Sequence, residues 1–121
     1  VKNDSTRVVI VDNDPDFLDS LGLLLELDGY VVQIARGADA ATSLIAEFQP
    51  HCVLTDIDLL SPEGAPIAPQ LRFKCRPGTL FIATAGWHEG DEAVTRKRAQ
   101  YDHYIRKPVD ITRLQGILSR I

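Results

Sequence analysis

Short apolar runs alternate with stretches whose apolar residues recur every three or four positions, and this alternation covers most of the chain. Val8 to Asp12 is apolar on both faces, which predicts a strand sandwiched between layers. Asp14-Pro15 follows as an N-cap with proline at the first helical position, and Phe17, Leu18, Leu21, Leu24 and Leu25 then keep helical spacing until Gly29. Tyr30 to Ala35 predicts a second strand. Ala41, Leu44, Ile45 and Phe48 predict a second helix, closed by Pro50. His51 to Asp58 contains a third buried strand whose end carries Asp56.

Beyond Asp56 the pattern weakens. Pro66 and Pro69 both fall where a third helix belongs, so that helix is expected to be short, displaced or late in starting. Thr79 to Ala85 predicts a fourth strand, and a helix with a weak apolar stripe is expected near 89–100. Tyr104 to Lys107 predicts a fifth strand ended by Pro108, and Ile111, Leu114, Ile117, Leu118 and Ile121 draw a last helix. Five strands alternating with five helices at short spacing require parallel crossovers, hence a doubly wound α/β sheet with strand order 2-1-3-4-5. Residues 1–7 are polar and are expected to form a flexible N-terminal segment before one domain over 8–121.

Composition narrows the classes. A chain of 121 residues with 45% hydrophobic content encloses one core. A net charge of −4 argues against a nucleic-acid surface, and the single basic cluster, Arg96, Lys97 and Arg98, is short and sits near acidic residues. Cys52 and Cys75 have no metal-ligand spacing and read as reduced structural residues of a cytoplasmic protein. No run is long enough for a membrane helix.

In an open α/β sheet, ligands bind at the carboxyl ends of the strands, beside the point where strand order reverses. The expected topology therefore brings Asp12, Asn13 and Asp14 beside Asp56. Alone, Asp56 also reads as a loop residue capping the next helix. Clustered carboxylates from Asp12 and Asp56, with Asp14 or Asp58 as further candidates, are unfavourable without a neutralising cation, and Mg²⁺ prefers hard oxygen ligands completed by water and phosphate. Lys107 adds a point charge and Thr84 a hydroxyl from other strand ends. This combination fits phosphoryl transfer onto Asp56.

The VDND end of the first strand, the TDID stretch at 55–58, Gly64, Thr84-Ala85 and the run from Tyr104 to Pro108 together resemble a response-regulator receiver domain of flavodoxin-like fold, from Arg7 to Ile121. The resemblance implies a phosphoacceptor signalling domain of a two-component system, not an independent enzyme, beyond promoting its own phosphotransfer and dephosphorylation. Asp56 would take a phosphoryl group from a histidine kinase or histidine phosphotransfer protein. Asp12, Asn13, Asp56 and the backbone carbonyl of Asp58 would hold Mg²⁺, Thr84 and Lys107 would contact the phosphoryl group, and Thr84 with Tyr104 would form the switch. An output domain or partner protein would read the outcome, with a homodimer through the fourth helix, fifth strand and fifth helix as one form; direct contact with nucleic acid or membrane is not expected. Trp87 would lie near the output face, where exposure would suggest a partner contact.

Departures from the family pattern matter as much. Asn13 stands where the family has an aspartate ligand, which removes one unit of charge and predicts weaker Mg²⁺ binding. Asp14 is expected to serve as the N-cap. Leu60 replaces the family's proline four residues after the acceptor, so the loop there is expected to be unusual. A receiver-like interaction module that works without phosphorylation is the alternative reading, and a metal-dependent phosphohydrolase a third class, disfavoured by the lack of a cap domain.

Overall fold

The computed structural model describes residues 6–86 and 100–121. Five strands form one parallel sheet: β1 (Arg7–Val11), β2 (Val31–Ala35), β3 (Cys52–Asp56), β4 (Leu80–Ala85) and β5 (His103–Arg106), in the order β2-β1-β3-β4-β5. Four helices are described: α1 (Pro15–Leu27), α2 (Ala38–Phe48), α3 (Ala68–Lys74) and α4 (Ile111–Leu118). The strand order is the one expected. The helix expected near 89–100, with Trp87 and the Arg96–Arg98 cluster, lies outside the described residues but for Gln100, which is a turn.

Strand alternation sorts the core into two layers, because successive side chains point to opposite faces. Val8, Ile10 and Leu54 pack with Leu18, Leu21 and Leu25 of α1 and Leu114 and Leu118 of α4. Val9, Val11, Val53 and Phe81 pack on the other face with Ala41 and Ile45 of α2 and Leu71 of α3. The edge strand β2 is different, with Val31, Gln33 and Ile34 exposed.

The capping reading holds at α1. Asp14 has extended backbone, and its side chain accepts from the N–H groups of Asp16 and Phe17, which satisfies donors that the helix cannot. Gly29 sits at φ 99°, a conformation that favours glycine. Helix α3 does start late, at Ala68, with Pro69 in its first turn where no intrahelical N–H is needed.

Strand boundaries moved by one residue at β1, β2, β4 and β5. β1 begins at Arg7, not Val8, and Thr6 is buried, so the last two residues of the expected flexible segment are held in the fold. The Arg7 N–H donates to Nδ1 of His51 at 2.9 Å, and its guanidinium donates to the carbonyls of Phe48 and Gln49 at the end of α2. A cation there complements the negative end of the helix dipole. β5 runs from His103 to Arg106, which leaves Lys107 just past the strand end.

Candidate functional site

Register explains why four distant residues meet. Val11 pairs with Thr55, so the next residues, Asp12 and Asp56, leave the sheet side by side at the switch point. Asp56 is in turn paired with Thr84 of β4, and Ala85 with Arg106 of β5. The Lys107 N–H donates to the carbonyl of Ala85 at 2.7 Å, which fixes where its side chain starts.

From that point Lys107 reaches back over the sheet. Its Nζ donates to Asp12 Oδ2 at 2.7 Å and to Asp56 Oδ2 at 3.5 Å. Asp12 is fully buried, with its other oxygen accepting from the Asp14 N–H at 2.9 Å. The Asp56 side chain is 17% exposed, and its Oδ1 accepts from the Asp58 N–H at 2.9 Å. One carboxylate is thus sunk into the fold while the other faces solvent at the rim. Burial alone would push the Lys107 ammonium down, but the hydrogen bond to Asp12 and the charges of Asp56 and Asp12 outweigh it and hold the group above its ordinary 10.5.

Thr84 is 1% exposed, and its Oγ1 has no hydrogen-bond partner among the described residues. A buried hydroxyl without a partner is costly, so the atom has an outstanding capacity to bond. Tyr104 is half-buried with its hydroxyl oxygen sequestered, and it packs with Tyr101 against Ile57, Ala83 and Ala85. Asn13 and Asp58 are exposed at the rim. The Asp14 side chain is used as the helix cap, while its N–H holds Asp12.

Asp12 and Asp56 supply two carboxylates, oxygen donors of the kind a hard divalent cation takes, with Asn13 one residue beyond the first and Asp58 two beyond the second. Mg²⁺ needs only one or two protein carboxylates when water and phosphate complete its shell. A third acidic side chain is missing: among the described residues, no group of three or more histidine, cysteine or acidic side chains is arranged to hold a metal.

Two neighbours were not anticipated from the sequence. The Phe17 ring lies 4.5 Å from Lys107 Nζ, a cation–π contact that roofs the ammonium. Its position two residues after Pro15, in the first turn facing the strand ends, was the available signal. Tyr101 is also close: burial, then the charge of Asp56, pushes its hydroxyl up to about 12, and no feature of the sequence marked it. The loop after β3 closes on itself through a bridge between Leu60 and Pro66 and a 2.7 Å bond from the Ser61 N–H to the Ala65 carbonyl, as befits its unusual sequence.

The open parallel sheet thus carries an acid pocket at its switch point, bridged by a lysine from beyond the far strand. The family model described as response regulator receiver domain matches residues 8–119, and the chain belongs to that family. It is 30% identical over 118 residues to the response regulator MprA of Mycolicibacterium vanbaalenii, covering 94% of this chain and 51% of that protein. An uncharacterised 14.6 kDa protein of Leptolyngbya boryana is 29% identical over 104 residues, covering 85% of this chain and 79% of that one. The chain spans about half the length of the curated response regulators it matches. Among solved structures, the signal receiver domain of a DNA-binding response regulator from Colwellia psychrerythraea superposes with a TM-score of 0.79 at 24% identity, covering 96% of this chain and 97% of that one, which bears on the fold alone.

No helix among the described residues is long and apolar enough to cross a membrane.

Proposed function

We propose that Asp56 accepts a phosphoryl group from a histidine kinase or histidine phosphotransfer protein, and that the domain changes its output face in response. The observation that carries this reading is the Lys107 ammonium spanning Asp12 and Asp56, at 2.7 and 3.5 Å, from a third strand. Asp56 is the more exposed of the two carboxylates, so it is the one a donor can approach. In the transfer, an Asp56 oxygen forms a bond to phosphorus as the bond to the donor's imidazole nitrogen breaks. Lys107 is placed to pair with a phosphoryl oxygen, and the unsatisfied Thr84 hydroxyl gains a partner by bonding to another.

Mg²⁺, when bound, neutralises charge on the transferring group. Asp12, Asn13, Asp56 and the Asp58 carbonyl are the residues that would hold it, with Asn13 contributing a neutral oxygen where an acidic one would bind more strongly. Tyr104 sits inward, and its packing beside β4 makes it the residue that reports movement of Thr84. The two arrangements form a population equilibrium that the phosphoryl contacts bias. The output is an attached domain or a partner protein, with a homodimer through the face of β5, α4 and the helix expected near 89–100 as one form, and the setting is cytoplasmic. The domain itself contacts neither nucleic acid nor membrane.

Incubation with Mg²⁺ and a small-molecule phosphodonor, followed by intact mass, tests the reading. One phosphoryl adduct is expected on the native chain and none on Asp56→Asn. An equal adduct on both overturns the assignment. Absence of an adduct on either favours the second reading, an interaction module that needs no phosphorylation, for which Asn13 and the missing third acid are the specific observations.

A further inference from the structure

The surface of α1 and β2 is both apolar and acidic. Leu23, Leu27 and Ile34 are exposed, Leu27 to 76%. Between helix and edge strand runs a groove of about 340 Å³ with Gly22, Val32 and Ile34 in its lining. Gly22 keeps it open, because a Cβ there would lie 3.6 Å from Ile34 Cγ2 and 3.8 Å from Val32 Cγ1 and would occupy its floor. Asp19 and Glu26 stand along the same groove, and α1 contains no lysine or arginine.

The opposite character occurs at the end of α3. Phe73 is 84% exposed, the most exposed of the large apolar side chains described. Lys74 lies beside it with Nζ 6.0 Å from the ring, and Arg76 is exposed two residues beyond. Arg72 is spent internally, over the Phe81 ring at 4.2 Å and donating to the Gln100 carbonyl, so Phe73 is turned outward from a braced neighbour. An aromatic anchor followed in the chain by two cations matches an apolar groove lined by two carboxylates, and interface aromatics in pockets carry most of the binding energy of such contacts.

Two other grooves do not match. One, of about 400 Å³, is lined by His51, His103 and Arg120 and has no aspartate or glutamate in its lining to meet a basic anchor. Another, of about 160 Å³ beside Phe17, Leu24 and Val109, has no acidic residue in its lining.

We infer that the chain self-associates head to tail, with Phe73 of one copy seated in the α1–β2 groove of the next and Lys74 and Arg76 facing Asp19 and Glu26. The two halves are different surfaces, so the contact is heterologous and leaves a free anchor at one end and a free groove at the other. Mass therefore grows with concentration without stopping at a dimer. The contact is weak, since one anchor and one groove bury less than a standard interface. This does not depend on phosphorylation of Asp56.

Sedimentation velocity from about 10 μM to about 1 mM, at low and at high salt, tests it. The native chain is expected to show a rising weight-average mass that falls as salt screens the charged rim. Phe73→Ser, which touches no core residue, should weaken association about 30-fold, and Asp19→Lys with Glu26→Lys should abolish it. Each variant alone associates less than the native chain, but an equimolar mixture should form a heterodimer, because one supplies the groove and the other the anchor. A monomer throughout, association that both variants retain, or a mixture that stays monomeric overturns the proposal.

Discussion

Replacing Lys107 with methionine keeps the length of the side chain and removes its charge, which isolates what the ammonium does for the pocket. At an effective dielectric near 20, the 2.7 and 3.5 Å contacts are worth about 6 and about 5 kcal/mol of gross attraction, most of it offset by the cost of desolvating the ions. Removing one partner of a buried pair costs about 3–5 kcal/mol; the Lys107 side chain is 25% exposed, and solvent on that side reduces the expected loss to about 2 kcal/mol. Urea unfolding at about pH 7.5 measures it. Equal stabilities at about pH 7.5 would refute the account of Lys107 as the counter-ion of both acids.

Other measurements probe separate parts of the structure. In the native protein the raised ammonium gives a contribution that is complete below about pH 10.5 and lost as pH rises through the higher folded value, so the stability difference between the native chain and Lys107→Met, read by urea unfolding, should shrink above that point. Asn13→Asp should tighten Mg²⁺ binding in a fluorescence or calorimetric titration, and an unchanged affinity would remove position 13 from the ligand set. Asp14→Ala should cost about 1 kcal/mol by urea unfolding, the usual weight of an N-cap, and no loss would contradict the capping geometry. The Cys52 thiol, fully buried and pushed far above its ordinary range by desolvation, should resist a thiol reagent until the chain unfolds, whereas the half-buried Cys75 should react in the native state.

The central strands were legible because they are buried on both faces and bounded by prolines and glycines, and short connections between them leave one plausible topology. The rim followed from that topology: once β1 and β3 are neighbours, Asp12 and Asp56 must be too. The late start of α3 was readable from Pro69, since a proline's missing N–H dictates where a helix can begin. Other features depend on tertiary context. Nothing local says that β2 is the exposed edge, because Val31, Val32 and Ile34 look as buried as the residues of β1. The roofing of Lys107 by Phe17 joins residues at opposite ends of the chain, and the internal bridge of the Leu60–Pro66 loop depends on backbone geometry that two prolines and a glycine permit but do not specify.

Arg7 and His51 show that the two ends of the sheet are fastened by different chemistry. At the base, a neutral imidazole accepts the Arg7 N–H; burial, then the charges of Arg7 and Arg76, keep His51 below its ordinary 6.5, so this fastening holds above that pH and slackens in acid. At the opposite rim, fastening is by full charges whose balance any incoming anion upsets. The fold therefore has a quiet foundation and an excitable crest, and a disturbance delivered to the crest can be spent on rearrangement there while the foundation keeps the chain folded.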